Sequence, residues 1–176
     1  YKMIDGLVGN TTHIANLCFR GSGKTSIYGE FLVLYLAVFN EIPKFGKVDV
    51  IMFVADSMEN GARNFRRNVE ARYNSSDFLK KYLPTVKFTE NDILFTNINN
   101  TQTYVRMFGA SSGVRGFKAF GNRPVLAILD DLVKDDDASS MLTLDKIKDT
   151  IYNGVNNALS PIRKKVIFNG TPFNKN

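Results

Sequence analysis

The stretch Cys18-Phe19-Arg20-Gly21-Ser22-Gly23-Lys24-Thr25 constrains the fold more than any other part of this sequence. Its last three residues have the pattern that ends a phosphate-binding loop (P-loop), in which glycines let successive backbone N–H groups face a phosphate. Lys24 is predicted to reach the β- and γ-phosphates, and the Thr25 hydroxyl to bind Mg²⁺. The apolar run 27–39 predicts a helix directly after the loop, and its N-terminal dipole adds to the anion site.

The stretch departs from the usual pattern G-x-x-x-x-G-K-[ST] at its start, where Cys18 stands in place of the first glycine. An ordinary glycine-serine turn that carries an exposed lysine is therefore the alternative interpretation. A second motif about a hundred residues downstream favours the nucleotide site.

That second motif, Val125-Leu126-Ala127-Ile128-Leu129-Asp130-Asp131, is an apolar run that ends in two carboxylates. Such a run predicts a buried central strand of a parallel sheet. Ligands of open α/β sheets bind at the carboxyl ends of the strands. Asp130 is thus predicted to hold Mg²⁺, and Asp131 to orient or deprotonate the attacking water. The alternative is a strand that leads into an acidic loop, because aspartates also occupy positions 135–137.

The composition of the chain indicates how many domains it can form and excludes some kinds of site. The chain has 176 residues, 44% of them hydrophobic, which suffices for one P-loop domain over residues 1–176. Its formal charge of +6 is compatible with a polyanionic partner without requiring one. One cysteine and one histidine exclude an intrachain disulfide and a zinc site of the usual type. The run 27–39 is too short to span a bilayer, so no membrane association is predicted.

Apolar strands alternate with helical segments along the chain, which predicts a mostly parallel sheet with helices on both faces. The turn-rich segment 97–100 lies between two short strands and predicts an antiparallel hairpin added to that sheet. Strands are predicted at 14–19, 48–55, 86–88, 92–96, 103–109, 125–130 and 166–168, and helices at 24–40, 57–73, 78–83 and 144–159.

Three further features make the pattern more particular. Arg20 lies four residues before the P-loop lysine, the segments Gly113-Val114-Arg115-Gly116 and Arg123-Pro124 lead into the acidic strand, and Gly170-Thr171-Pro172 ends a later strand. Together they resemble the ATPase domain of viral large terminases, the motors that package double-stranded DNA into empty capsids. The resemblance runs from about residue 17 to 172 and implies an α/β P-loop NTPase fold of the ASCE/RecA-like type.

The resemblance assigns roles to individual residues. It implies that ATP is bound by the loop residues Arg20, Gly21, Ser22, Gly23, Lys24, Thr25 and Ser26. It further implies that Arg20, Lys24 and Asp131 are catalytic, that Thr25 and Asp130 bind Mg²⁺, and that Gly170, Thr171 and Pro172 couple hydrolysis to movement. Arg20 could act in cis or on a neighbouring subunit, or could be a salt-bridged residue that orients the loop. The family usually has glutamate at the position of Asp131, and the shorter aspartate makes Asp135 a weak substitute.

The resemblance also implies partners. Expected are double-stranded DNA, the portal protein and procapsid, the small terminase subunit, a homo-oligomeric ring, and a location in the host cell cytoplasm with transient docking on the procapsid. The sequence looks like an excised N-terminal part of a longer protein, with the family's C-terminal nuclease beyond it. Two other functions stay open: a helicase-like DNA-remodelling ATPase, and a nucleotide-responsive DNA-binding or assembly module with weak or no hydrolysis.

Two basic segments are candidate DNA surfaces. Residues Arg63, Arg66, Arg67 and Arg72 belong to one predicted helix, and Arg163-Lys164-Lys165 precedes the last predicted strand. The alternative for the helix is a solvated face whose charge is balanced by Glu59 and Glu70. The sequence leaves the triplet equally ambiguous.

Overall fold

The computed structural model of this chain describes residues 2–114, 116–133 and 140–172. Its main sheet has seven strands in the order β1-β9-β8-β4-β7-β6-β5. These strands are β1 (His13–Leu17), β4 (Val50–Ala55), β5 (Thr85–Phe88), β6 (Asp92–Thr96), β7 (Gln102–Gly109), β8 (Leu126–Asp130) and β9 (Lys165–Gly170). The five strands from β1 to β7 in this order pair in parallel, and β6 and β5 continue the sheet antiparallel. The predicted parallel sheet with an antiparallel hairpin is therefore confirmed.

Helices follow the parallel strands β1, β4 and β8 in the chain, and several begin or end with recognisable signals. Helix α2 starts with π-helical turns and ends at Asn40, whose left-handed backbone (φ 58°) terminates it. Helix α3 is capped by the Ser57 side chain, which accepts a hydrogen bond from the Asn60 N–H. The helices are α1 (Lys2–Val8), α2 (Thr25–Phe31 and Leu32–Phe39), α3 (Met58–Ala62 and Arg63–Asn74), α4 (Asp77–Tyr82) and α5 (Met141–Asp149, Thr150–Val155 and Asn156–Ala158).

Two hydrophobic cores lie on the two faces of the sheet. Alternate residues of β4 and β8 point to opposite faces, as the two-residue period of a strand requires. Ile51 and Phe53 pack with residues of α2 and α3, whereas Met52 and Val54 pack with residues of α5. Because both faces are covered, all six residues of β4 are buried, which explains its uninterrupted apolar sequence.

Two elements lie outside the sequence predictions. Helix α1 precedes the first strand, and a two-stranded antiparallel ribbon joins β2 (Glu41–Ile42) to β3 (Gly46–Lys47) after α2. Both are short, and the ribbon lies where Pro43 and Gly46 indicate only the end of a helix. In the part of the chain that is described, no helix has the length and apolar character needed to cross a membrane.

Candidate nucleotide-binding site

Three neighbouring parallel strands carry the predicted site residues to one edge of the sheet. Strand β9 lies between β1 and β8, and all three point the same way. The P-loop stretch follows β1, Asp130 ends β8, and Thr171 follows β9. The carboxyl ends of these strands therefore meet, as expected of a ligand site in an open α/β sheet.

The backbone of the P-loop stretch explains why its first position can depart from glycine. Cys18 continues the sheet, because its N–H donates to the Gly170 carbonyl at 3.1 Å. The left-handed conformation occurs further on, at Gly21 (φ 84°) and Gly23 (φ 80°), and not at Cys18. Glycine adopts this conformation without strain, so the two glycines that the turn requires are both present.

Lys24 lies at the centre of a closed set of polar contacts. Its side chain ion-pairs with Asp131 at 2.9 Å and donates a hydrogen bond to the Thr171 hydroxyl at 2.7 Å. The Thr171 hydroxyl in turn donates to Asp131 at 3.0 Å. Lys24 is only 5% exposed, so its charge depends on these partners. One contact set thus joins the loop, the acidic strand and the proposed coupling residue.

A second set of contacts surrounds Asp130. The Thr25 hydroxyl donates to one carboxylate oxygen at 2.8 Å, and the Asn169 amide donates to the other at 3.0 Å. Asn169 accepts a hydrogen bond from the Asn16 amide at 3.0 Å. Burial raises the pKa of Asp130, while the hydrogen bonds from Asn169 and Thr25 act in the opposite direction. Both carboxylate oxygens are therefore held in fixed directions.

Asp131 is accessible and has an unusual backbone. Its φ of 42° lies in the left-handed region, which costs a non-glycine residue energy. Its N–H donates to the Asn169 carbonyl at 2.9 Å, which holds this conformation. The Asp131 side chain is 43% exposed, so solvent can reach the carboxylate while it contacts Lys24.

The residues present fit a magnesium–phosphate group. Thr25 and Asp130 offer oxygen ligands, which Mg²⁺ prefers, and Mg²⁺ sites of this kind use one or two carboxylates together with substrate phosphates. Within the described residues no group of three or more His, Cys, Asp or Glu side chains could hold a metal ion. The hydroxyl oxygen of Ser22 is buried without a hydrogen-bond partner among the described residues, which suits a donor for a phosphate oxygen.

The remaining predicted residues occupy the same region. Arg20 is exposed and Ser26 half-buried, both within the loop segment. The Gly170 carbonyl accepts the hydrogen bond from the Cys18 N–H, and Pro172, two residues later, is exposed. The predicted substitute Asp135 lies outside the described residues, as do Asp136, Asp137 and Arg115.

Sequence reasoning missed Asn16 and Asn169. They face each other in the pairing of β1 with β9, and Asn169 faces Asp130 in the pairing of β9 with β8. Each is a buried polar residue in a strand that is otherwise largely apolar. A polar residue near the carboxyl end of a predicted parallel strand is the signal that could have identified them.

Comparison with known proteins shows similarity at the level of structure. No protein-family model matches the chain, and no curated protein does so. The large terminase ATPase domain of Thermus phage P74-26 superposes with a TM-score of 0.63 at 14% identity, over 100% of this chain and 66% of that one. The large terminase of a thermophilic bacteriophage gives a TM-score of 0.61 at 15% identity, over 97% of this chain and 38% of that one.

A further crystal form of the same thermophilic bacteriophage protein, in complex with ADP, gives a TM-score of 0.53 at 14% identity, over 95% of this chain and 34% of that one. The present chain thus spans about two fifths or less of the length of that large terminase chain. At these identities the similarity establishes the fold, which is that of large terminase ATPase domains.

Proposed function

We propose that this chain is the ATPase domain of a large terminase, which hydrolyses ATP with Mg²⁺ to drive double-stranded DNA into a viral procapsid. One observation carries the proposal: Lys24 and Thr25 contact Asp131 and Asp130 directly, at the carboxyl edge of a terminase-type sheet. A glycine-serine turn with an exposed lysine, the alternative for the loop, disagrees with the burial of Lys24 and its two partners.

Phosphate binding is assigned to the loop and to Lys24. Gly21 and Gly23 give the loop the left-handed backbone with which a P-loop would turn N–H groups toward a phosphate, and the start of α2 would add its dipole. The Lys24 ammonium has three N–H donors, and Asp131 and Thr171 each take one. One donor therefore remains for a phosphate oxygen.

Thr25 and Asp130 are the residues that would hold Mg²⁺, which supplies neutralisation of the phosphate charge when it is bound. Asp131 would accept a hydrogen bond from the attacking water and orient it toward the γ-phosphorus. The exposed Arg20 belongs to the same loop and would stabilise charge on the transferred phosphoryl group, in cis or in a neighbouring subunit.

Coupling is assigned to Thr171, because its hydroxyl bridges the phosphate-binding lysine and the water-orienting aspartate. Any movement of Lys24 toward a phosphate changes a contact that Thr171 shares. Thr171 follows β9, so the change passes to the segment Gly170-Thr171-Pro172.

The assembly implied by this function extends beyond the present chain. We propose a homo-oligomeric ring that acts with the portal protein, the procapsid and the small terminase subunit in the cytoplasm of the host cell. A ring is consistent with Arg20 being exposed, since an arginine at a subunit edge can serve the neighbouring site.

Two substitutions test the catalytic assignment. Lys24→Ala should abolish ATP binding and turnover. Asp131→Asn should retain ATP binding and lower turnover by roughly 10²- to 10⁴-fold, the usual contribution of a positioned acid or base. Asp145→Asn is the matched control, because Asp145 is an exposed carboxylate whose one ion pair among the described residues is with Lys148, one helical turn away.

ATP binding is measured by calorimetry, and turnover by phosphate release with and without DNA and portal protein, since such motors work as assemblies. Turnover of Asp131→Asn at the wild-type rate would show that the role of Asp131 is assigned wrongly. Unwinding of forked DNA without a capsid component would favour the helicase-like alternative.

A further inference from the structure

A basic groove lies at the end of the sheet opposite the candidate nucleotide site. It has a volume of about 440 Å³ and is lined by residues 9–12, by Lys44 and Phe45 of the β2–β3 ribbon, and by residues 161–165, which include Arg163, Lys164 and Lys165. Strands β1 and β9 begin beside it at His13 and Lys165, whereas their other ends carry the nucleotide site. The basic triplet 163–165, which the sequence leaves without a role, thus forms one side of this groove.

Two of the cations form the walls of the groove. The Arg163 guanidinium donates to the carbonyls of Phe45 and Lys47, both at 2.6 Å, and stacks on the Phe45 ring at 4.8 Å. Lys165 is only 1% exposed and donates to the carbonyls of Gly9 at 3.0 Å and Thr11 at 2.8 Å. These bonds tie three separate chain segments together and fix the shape of the groove.

The other two cations, Lys44 and Lys164, are available to a ligand. Lys44 is exposed and Lys164 is half-buried, and neither side chain has a hydrogen bond or an ion pair within the described residues. In the described part of the chain no carboxylate lies within ion-pair distance of any of the four cations, and the groove lining contains no acidic residue. The groove therefore concentrates uncompensated positive charge.

The other basic candidate, helix α3, differs in this respect. Arg63, Arg66 and Arg72 pair with Glu90, Glu70 and Glu30 at 3.5, 2.8 and 2.5 Å, respectively. Most of the positive charge of that helix is thus compensated within the chain. Of the two basic segments that the sequence offers, the structure favours the groove as the one that meets an external polyanion.

We propose that the basic groove binds the phosphate backbone of duplex DNA, with Lys44 and Lys164 as the phosphate contacts. Lysine, arginine, asparagine and threonine side chains are typical phosphate-contacting groups, and all four residue types line the groove. The proposal rests on the proposed function for its choice of DNA. The DNA contact would then lie at the amino ends of β1 and β9, one strand length from the nucleotide site at their carboxyl ends.

The test measures affinity for a duplex of mixed sequence by fluorescence anisotropy over a series of salt concentrations, without nucleotide. Each lost phosphate contact lowers the salt slope, log K against log [salt], by about 0.9. The double variant Lys44→Ala/Lys164→Ala should therefore reduce the magnitude of the slope by about 1.8. At about 0.1 M salt, where the two contacts would be worth a factor of about 10 to the power 1.8, the variant should bind DNA roughly 60-fold more weakly than the wild type. Lys44→Gln/Lys164→Gln removes the charge, keeps most of the side-chain length and should behave alike.

The matched control is Lys87→Ala, which removes the charge of an exposed lysine on β5, at the edge of the sheet farthest from β1. It should leave the slope within about 0.3 of the wild-type value if the groove is the contact. An equal loss in the control overturns the proposal, as does absence of duplex binding by the wild-type chain at low salt. The proposal is also overturned if polyglutamate binds as tightly as DNA and with the same dependence on Lys44 and Lys164. That result would indicate that the groove binds an acidic protein.

ATP turnover without DNA separates this proposal from the proposed function. The groove variants should keep the wild-type basal rate, because neither lysine contacts a residue of the nucleotide site. A chain that binds DNA through the groove and hydrolyses no ATP would refute the proposed function alone. A chain that hydrolyses ATP and binds DNA independently of Lys44 and Lys164 would refute the groove alone.

Discussion

Replacement of Asn169 by alanine tests whether the buried asparagine pair serves the nucleotide site or only the fold. Asn169 is 0% exposed, and its side chain makes two hydrogen bonds, one to the Asp130 carboxylate and one from Asn16. A hydrogen bond to a charged group contributes about 1.5–3 kcal/mol and a neutral one about 1 kcal/mol. We therefore expect Asn169→Ala to lower the free energy of unfolding by about 3 kcal/mol, or roughly 6–12 °C in Tm.

Asn16→Ala is the matched control, because it removes only the neutral hydrogen bond and leaves Asn169 in contact with Asp130. It should cost about 1 kcal/mol, or roughly 2–4 °C in Tm. Both values are measured by thermal and urea denaturation, which compare each variant with the wild-type chain under the same buffer conditions.

The functional comparison is the Mg²⁺ concentration at half-maximal ATP turnover. Outer-shell partners of a metal ligand typically contribute 10- to 100-fold in metal affinity, so Asn169→Ala should raise this concentration by about that factor. Asn16→Ala should leave it nearly unchanged. If Asn169→Ala loses stability as expected and keeps the wild-type Mg²⁺ requirement, the asparagine has no positioning role and that reasoning is wrong.

Three shorter predictions follow from the same geometry. Thr171→Val removes two hydrogen bonds to charged groups at constant volume, so ATP turnover should fall by roughly 10- to 100-fold. Thr171→Ser keeps the hydroxyl and should turn over ATP at close to the wild-type rate. Equal rates for the valine and serine variants would refute the coupling role. Gly23→Ala forces alanine to a φ of 80°, so Tm should fall by roughly 2–8 °C and ATP affinity should drop, whereas Gly113→Ala, at negative φ in open space, should change neither. Burial lowers the pKa of Lys165, so the unfolded chain binds more protons below about pH 10.5. The unfolding free energy of the wild type, relative to Lys165→Met, should therefore rise with pH as the pH approaches about 10.5 from below in urea denaturation, and a fall would contradict the sign.

The sequence was sufficient for the features that depend on local pattern. The apolar run 125–130 specified a buried strand that ends at the two aspartates, and the hairpin at 97–100 followed from its turn residues. Both are short-range signals, which act through strand period and turn geometry. The fold of large terminase ATPase domains, inferred from motifs alone, is confirmed by the superpositions.

What the sequence could not specify depends on strand order. Asn16, Asn169 and Asp130 become neighbours only because β9 lies between β1 and β8, and no local pattern contains that information. The same holds for the basic groove, where Arg163 contacts carbonyls more than a hundred residues away in the chain. The ion pairs of the basic helix α3 could also not be assigned from the sequence alone. Arg72 pairs with Glu30 of another helix, and not with Glu59 or Glu70.

The central claim is that Lys24, Thr25, Asp130 and Asp131 surround one magnesium–triphosphate group. A crystal structure of the chain with a non-hydrolysable ATP analogue and Mg²⁺ tests it most directly. The account predicts phosphates over residues 21–25 in contact with Lys24, and the metal ion between the Thr25 hydroxyl and Asp130. A nucleotide bound elsewhere on the molecule, or a metal ion that Thr25 and Asp130 do not contact, would contradict it.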